Sequence, residues 1–273
     1  MAITNSPKPV LQALAASVVF FGAFMLLRPT ESSTAHPLST ARARNAVLVE
    51  LFTSEGCSSC PPADALLGRL RQDLGNQGLN VIPLGFHVDY WNSLGWRDRF
   101  SSAEFSRRQE QYARALGTDG PYTPQMIVDG GIEFVGSDAA RAQSAIIDGA
   151  GQPQTTRIEL SVLADHPRFL DLPVRISSSA KGADVMLAIT EDNLVTKVGG
   201  GENIGHELRH TAVVRELRRL GSITDSGNFR ADVPIELRLD WKRNDLQLVV
   251  FVQESPAGKV LGAASVSLHA QQR

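Results

Sequence analysis

The chain has 273 residues, of which 42% are hydrophobic and 21% charged, with a formal net charge of −2. This composition is typical of a folded protein, and the absence of a basic surplus argues against nucleic acid as a partner. The length is sufficient for two domains of ordinary size.

An apolar run at residues 10–27 follows Lys8 and is interrupted only by Gln12 and Ser17. The run is longer than the usual core of a signal peptide and lies at the lower limit for a membrane-spanning helix. We therefore predict that residues 1–27 are a signal peptide or an N-terminal membrane anchor. In either case the remaining chain is expected in the periplasm or outside the cell, in contact with the membrane only through this segment. Residues 28–45 are predicted to be a flexible tether.

Two cysteines dominate residues 47–64, which have the pattern of an apolar strand, a turn and the start of a helix. Cys57 and Cys60 are the only cysteines of the chain. A C-x-x-C between a strand and a helix is a redox arrangement, because free N–H groups at the helix start favour the thiolate that attacks disulfides. A structural disulfide is one alternative, although a four-residue loop contributes only about 2 kcal/mol. Metal binding is the other, with copper favoured over zinc because no second ligand pair is present.

The segment after the next predicted strand carries further chemistry. Residues 79–88 are expected to pair in parallel with residues 46–52, in a βαβ unit whose strand ends share one edge of the sheet. His87, Asp89 and Trp91 should then lie beside the cysteine turn. His87 and Asp89 could tune the thiol or move protons, or could simply hold the loop. Trp91 could shape a substrate groove or pack as a lid on the core.

The remaining elements of the N-terminal half are a helix at 101–116, a hairpin at 125–135 and a helix at 139–147. Taken with the C-x-x-C and with Thr123-Pro124 before the hairpin, their order resembles the thioredoxin superfamily over residues 46–149. The resemblance implies that Cys57 attacks, that Cys60 resolves, and that Thr123 and a cis Pro124 bind the substrate backbone. Glu50 lies one residue from the position of that superfamily's buried acid. Strand alternation directs it to the opposite face, so its role as proton acceptor is a weaker prediction.

The chain also resembles, over most of its length, a family of uncharacterised exported bacterial proteins with this fold. The stretches FTSEGCSSCPPAD, FHVDYWNSLGW, YTPQMIVDG and GGGENIGHELRHTAVVREL carry this second resemblance. It implies no specific activity, because the function of the family is itself unknown.

The C-terminal half, by contrast, contains seven predicted short strands between residues 156 and 268 and no helix, which indicates an antiparallel sandwich. Within it, residues 199–215 combine three glycines with His206, His210 and Arg215. This motif is expected to form a turn that contacts the other domain, with a small-ligand or metal site as the alternative.

The sequence therefore predicts an α/β thioredoxin-like domain at 46–152 followed by an all-β antiparallel sandwich at 153–273. The expected function is thiol–disulfide exchange with protein or small-thiol clients, and with a possible redox partner in the cell envelope. No cofactor and no metal site are assigned. The alternative is copper handling or protein interaction through the same cysteines.

Overall fold

A computed structural model describes residues 1–2, 37–42, 45–163 and 166–269. The predicted signal peptide or anchor, apart from residues 1–2, and most of the predicted tether lie outside these residues. The described part contains three α-helices and fourteen strands. The helices are α1 (Pro61–Gly75), α2 (Ala103–Leu116) and α3 (Ala139–Ala150). The strands are β1 (Pro37–Arg42), β2 (Ala46–Thr53), β3 (Asn80–His87), β4 (Gln125–Val128), β5 (Ile132–Val135), β6 (Thr156–Leu163), β7 (Phe169–Ser178), β8 (Asp184–Glu191), β9 (Leu194–Lys197), β10 (Glu207–His210), β11 (Val213–Ser222), β12 (Asn228–Glu236), β13 (Leu246–Gln253) and β14 (Val260–Ser267).

The main sheet joins strands from both halves of the chain. It has eight strands in the order β14-β13-β8-β11-β3-β2-β4-β5. The predicted fold class, a thioredoxin-like α/β domain followed by a separate all-β sandwich, is therefore wrong. Four strands of the expected sandwich continue the sheet that holds the cysteine turn, and the described residues from 37 onward form one compact unit.

The junction between the two halves is the contact of β11 with β3. The strands are parallel there, with Val213 opposite Gly85. The N–H of Gly85 donates to the carbonyl oxygen of Ala212 at 2.7 Å. A Cβ at position 85 would lie only 3.3 Å from the Thr211 carbonyl oxygen, so glycine permits this close approach.

The physical reason for the joined sheet is that its central strands are buried on both faces. In β8, Val185 and Leu187 face the core shared with the second sheet, whereas Ala188 faces the core that includes α2. In β13, Leu248 and Phe251 are divided between these same two cores. A two-layer sandwich covers only one face of each sheet, so it would leave the second face of these strands in water.

The second sheet has four antiparallel strands in the order β1-β6-β7-β12 and packs on the β8, β13 and β14 part of the main sheet. Its strands alternate in burial, as one-sided strands do; β6 has Ile158 and Leu160 buried and Arg157 and Glu159 exposed. β1 lies within the segment predicted as a tether. A third sheet contains only β9 and β10.

The predicted βαβ unit around the cysteines is confirmed. β2 and β3 are parallel from Ala46 opposite Asn80 to Thr53 opposite His87, and α1 connects them. Leu66, Leu67 and Leu70 of α1 pack with α3 on one face of the sheet. The opposite face of β2 and β3 is covered by α2. No helix within the described ranges is long and apolar enough to cross a membrane.

Candidate functional site

The two cysteines form a disulfide at the junction of β2 and α1. Their Cα atoms are 5.4 Å apart. Cys60 is the N-terminal cap of α1, which Pro61 opens, and its carbonyl oxygen accepts the N–H of Asp64 at 3.1 Å. Both cysteines have 0% exposed surface, although Ser58 between them is exposed. The disulfide is thus enclosed, while the backbone between its ends faces solvent.

The turn that carries Cys57 is held by side chains from distant parts of the chain. Asp98 Oδ2 accepts the N–H of Glu55 at 2.9 Å. Asn203 Nδ2 donates to the carbonyl oxygens of Glu55 and Cys57, both at 2.9 Å. Glu202 Oε2 accepts the N–H of Ser58 at 3.0 Å. The turn is therefore fixed by a loop after β3 and by a loop of the C-terminal half.

A cluster of buried ionisable groups adjoins this turn. His87 Nδ1 lies 2.6 Å from Asp98 Oδ2, and His210 Nε2 lies 3.3 Å from Glu55 Oε1. The two imidazole rings meet edge to face with centroids 4.9 Å apart. The two acidic partners are also buried. The fold thus brings His87 from β3 and His210 from β10 together behind the cysteine turn.

The pKa values of His87, Asp98 and Glu55 are shifted within the cluster. Burial acts to lower the pKa of His87, but the Asp98 carboxylate outweighs it and the pKa is raised. Burial likewise acts to raise the pKa of Asp98, and His87 overcomes this, so the pKa is lowered. Burial acts to raise the pKa of Glu55, but its interactions with His210 foremost, and with Thr196 and Trp96, outweigh burial and the pKa is lowered. Both directions favour the ionised form of the His87–Asp98 pair.

Asp64, in the first turn of α1, behaves in the opposite way. Part of the residue is exposed, but its carboxyl group is enclosed, and burial raises its pKa. The electrostatic interactions with His210 and His87 act to lower the pKa of Asp64 and offset burial only in part. Asp64 is therefore the carboxyl group of this region that takes up a proton most readily.

Several buried polar atoms of the cluster lack a well-aligned hydrogen-bond partner in the described part of the chain. They are Thr53 Oγ1, Glu55 Oε1, Thr196 Oγ1 and both ring nitrogens of His210. Among all the residues that the structure describes, no group of three His, Cys, Asp or Glu side chains has an arrangement suited to a metal ion. Such atoms are the usual partners of enclosed water.

Trp91 lies between the cysteine turn and the loop before β4. Its indole N–H donates to Thr123 Oγ1 at 2.8 Å. A Cβ at Gly56 would lie 3.3 Å from Trp91 Cβ, so glycine before Cys57 makes room for the tryptophan. The Thr123–Pro124 bond is cis, as predicted, and Pro124 is buried. Their predicted role in substrate binding stays a prediction.

The structure places the other two predicted site residues away from this cluster. Asp89 Oδ1 accepts from Ser106 Oγ of α2 at 2.5 Å, so it anchors the loop after β3. Glu50 forms a buried ion pair with Arg108, at 2.6 Å from Nε to Oε2, on the α2 face of β2. The alternation of side chains along β2 predicted that Glu50 would lie on this face. Proton transfer by either carboxylate stays a prediction.

Comparison with known proteins assigns the family. Residues 48–253 match the model of the family described as "Protein of unknown function (DUF1223)". The chain belongs to this family. The crystal structure of a protein from Agrobacterium tumefaciens is similar to this chain, with 29% sequence identity and a TM-score of 0.64. The match covers 85% of this chain and 97% of that one. No curated protein matches.

The matched part of this DUF1223 chain includes residues of the site that the sequence did not reveal, among them Glu55, Asp98 and Asn203. Glu55 sits in the cysteine motif itself, and Asp98 follows the WNSLGW stretch. Asn203 and Glu202 lie in the glycine motif that was expected to contact the other half. The signal for Asn203 was that motif, because glycines without a phosphate-loop setting indicate close backbone packing.

Proposed function

We propose that this protein exchanges disulfides with thiol-bearing clients through Cys57 and Cys60. The observation that carries the proposal is the Cys57–Cys60 disulfide at the start of α1, in a chain with no other cysteine. A bonded pair separated by two residues at a helix N-terminus is suited to reversible opening, because the backbone N–H groups there stabilise a thiolate.

The exchange balances as a two-electron reaction. A client thiolate attacks the sulfur of Cys57, the Cys57–Cys60 bond breaks, and Cys60 leaves as a thiolate that takes a proton. A second client thiolate then attacks the client sulfur of the mixed disulfide and releases Cys57. The client leaves as a disulfide, and the protein holds both thiols. Run in reverse, the same steps reduce a client.

A purely structural disulfide explains these observations less well. Closing a four-residue loop contributes only about 2 kcal/mol. The same turn is already held by the hydrogen bonds of Asp98, Glu202 and Asn203. The disulfide therefore adds little restraint to a turn whose backbone is fixed from outside.

We also propose that the apolar run at 10–27 exports the chain, anchored or cleaved, to the periplasm or beyond. Disulfides persist in such oxidising compartments, whereas cysteines are kept as thiols in the bacterial cytosol. The expected clients are proteins or small thiols of the cell envelope. Fractionation of cells expressing the full chain tests this proposal, and recovery in the cytosol alone would contradict it.

The function is tested by equilibration of the purified protein against glutathione buffers of graded ratio, followed by acid quenching and alkylation. We expect a single reversible two-electron transition, lost in Cys57→Ser and in Cys60→Ser. In Cys60→Ser, the remaining Cys57 should trap mixed disulfides with clients. Failure of the disulfide to equilibrate in the folded protein would refute the proposal. Stoichiometric binding of Cu(I) by the reduced protein, without such a transition, would favour metal handling instead.

A further inference from the structure

We propose that residues 198–206, here called the gate loop, control access to the disulfide, with Asn203 as the latch. The gate loop joins β9 and β10. The inference deepens the proposed function, since it concerns how a client thiol reaches Cys57. It assigns a role to the glycine motif of the C-terminal half.

The latch consists of hydrogen bonds from the gate loop to the cysteine turn. The side-chain amide of Asn203 donates to two carbonyl oxygens at once, those of Glu55 and Cys57, each at 2.9 Å. Asn203 is only 6% exposed, so these bonds are shielded from water. The exposed Glu202 adds a bond to the N–H of Ser58. One loop thus engages the Cys57–Ser58 peptide group at both its carbonyl oxygen and its N–H, and also the carbonyl oxygen of Glu55.

The observed arrangement is closed to a client. Neither cysteine has exposed surface, yet exchange requires a thiolate to approach the sulfur in line with the S–S bond. Some part of the surroundings must therefore move before reaction. β2 and α1 pack in the main cores and cannot separate without loss of the fold.

The gate loop is attached more lightly than those elements. The strands on either side of it, β9 and β10, pair only with each other and with neither of the larger sheets. The base of the loop is closed by hydrogen bonds from Gly205 N to Val198 O and from Val198 N to His206 O, both at 2.9 Å. A loop closed at its base moves as one piece, so Asn203 and Glu202 leave the turn together.

Glycines allow the gate loop to lie flat against the loop after β3. A Cβ at Gly200 would be 2.4 Å from the carbonyl oxygen of Gly95, and one at Gly201 would be 3.1 Å from Trp96 Cβ. A Cβ at Gly199 would meet the Trp96 ring at 3.2 Å. Larger residues here would lift the loop and break the latch.

The expected kinetic effect follows from this geometry. If reaction occurs only from an open state, the rate is proportional to the open fraction. Loss of one ordinary hydrogen bond raises that fraction about fivefold, so loss of both Asn203 bonds raises it about 25-fold. The latch bonds end on carbonyl oxygens rather than on sulfur, so they form in the dithiol state as well. Reduction and reoxidation should therefore accelerate equally.

The experiment measures reduction by dithiothreitol and reoxidation by oxidised glutathione in the full chain, quenched with acid and alkylated at timed points. We expect Asn203→Ala to increase both rates about 25-fold, with less than a twofold change in the equilibrium constant. Glu202→Ala, which removes one exposed bond, should have a smaller effect. Asn228→Ala is the control, since Asn228 begins β12 far from the cysteines and its exposed side-chain amide donates only to Ser226 of the adjoining turn.

A merely structural role for Asn203 would give a different result. It would change the reduction and reoxidation rates by different factors and so shift the equilibrium constant, and this result would overturn the proposal. Rates equal to those of wild type would overturn it as well. If Asn203→Ala fails to fold, Asn203→Leu serves the same purpose, because an uncharged side chain of similar size cannot donate to the two carbonyls. Hydrogen exchange of residues 198–206 should rise in parallel with the rates, and unchanged exchange in a faster variant would also overturn it. The two proposals can fail separately. Unchanged rates in Asn203→Ala, together with a normal glutathione transition in wild type, would refute only the role of the gate loop. Absence of the glutathione transition would refute the proposed function.

Discussion

The buried network around Arg108 allows a prediction with a defined magnitude. Arg108 is 5% exposed and donates to both carboxylate oxygens of Glu50, at 2.6 and 2.9 Å, and to Tyr112 and Gln253, both at 3.0 Å. Tyr112 also donates to Glu50 at 2.5 Å. Burial opposes the charge of Arg108, but the Glu50 carboxylate offsets it and raises the pKa. The network joins α2 to β2 and β13, and hence the two halves of the chain.

We expect Arg108→Met to lower the free energy of unfolding by about 3–5 kcal/mol, because it leaves the Glu50 carboxylate buried without its counter-charge. For a domain of this size, that corresponds to a fall in the thermal midpoint of about 6–20 °C. Denaturant titration and a thermal melt both measure it. Arg157→Met is the control, since Arg157 pairs with Glu159 on the surface and should lose no more than about 1 kcal/mol.

The double variant Glu50→Leu/Arg108→Met separates the cost of an unpaired charge from that of lost packing. It should be more stable than Arg108→Met alone, since no charge then remains buried without a partner. The glutathione equilibrium of the cysteines should stay as in wild type. A loss below about 1 kcal/mol in Arg108→Met would refute the argument. A shifted glutathione equilibrium would instead show that this network is coupled to the redox state of the cysteines.

Two further changes test the surroundings of the disulfide. The raised pKa of His87 makes its pairing with Asp98 fully stabilising below about pH 6.5, and this stabilisation is lost as pH rises through the raised value. The thermal midpoint of wild type should therefore fall relative to that of Asp98→Asn between pH 6 and 9, and a constant difference would contradict the pairing. A Cβ at Gly136 would lie 2.7 Å from Leu51 Cδ1 and 3.1 Å from Pro124 Cβ. Gly136→Ala should cost about 1–3 kcal/mol in a denaturant titration, and an unchanged midpoint would show that the site can relax.

Local features around the cysteines could be predicted from the sequence because they depend on near neighbours. An apolar run, a turn, two prolines at a helix start and spaced leucines were sufficient for β2, α1 and the parallel pairing with β3. Strands β6 and β13 lie in the region where the sequence predicted short strands. The hairpin β9–β10 was missed, since its strands have only four residues each and flank a glycine-rich loop.

The partner of each buried face was decided only by the tertiary structure. An apolar residue on a strand indicates burial, but the hydrophobic effect is non-directional and does not specify the covering surface. The apolar residues 248–252 of β13 are divided between two cores, yet nothing local showed that the main sheet would continue through β11 to β3. The same holds for the site. Asn203 and His210 reach the cysteine turn only because that continuous sheet brings the C-terminal half alongside β3, across more than a hundred residues of chain.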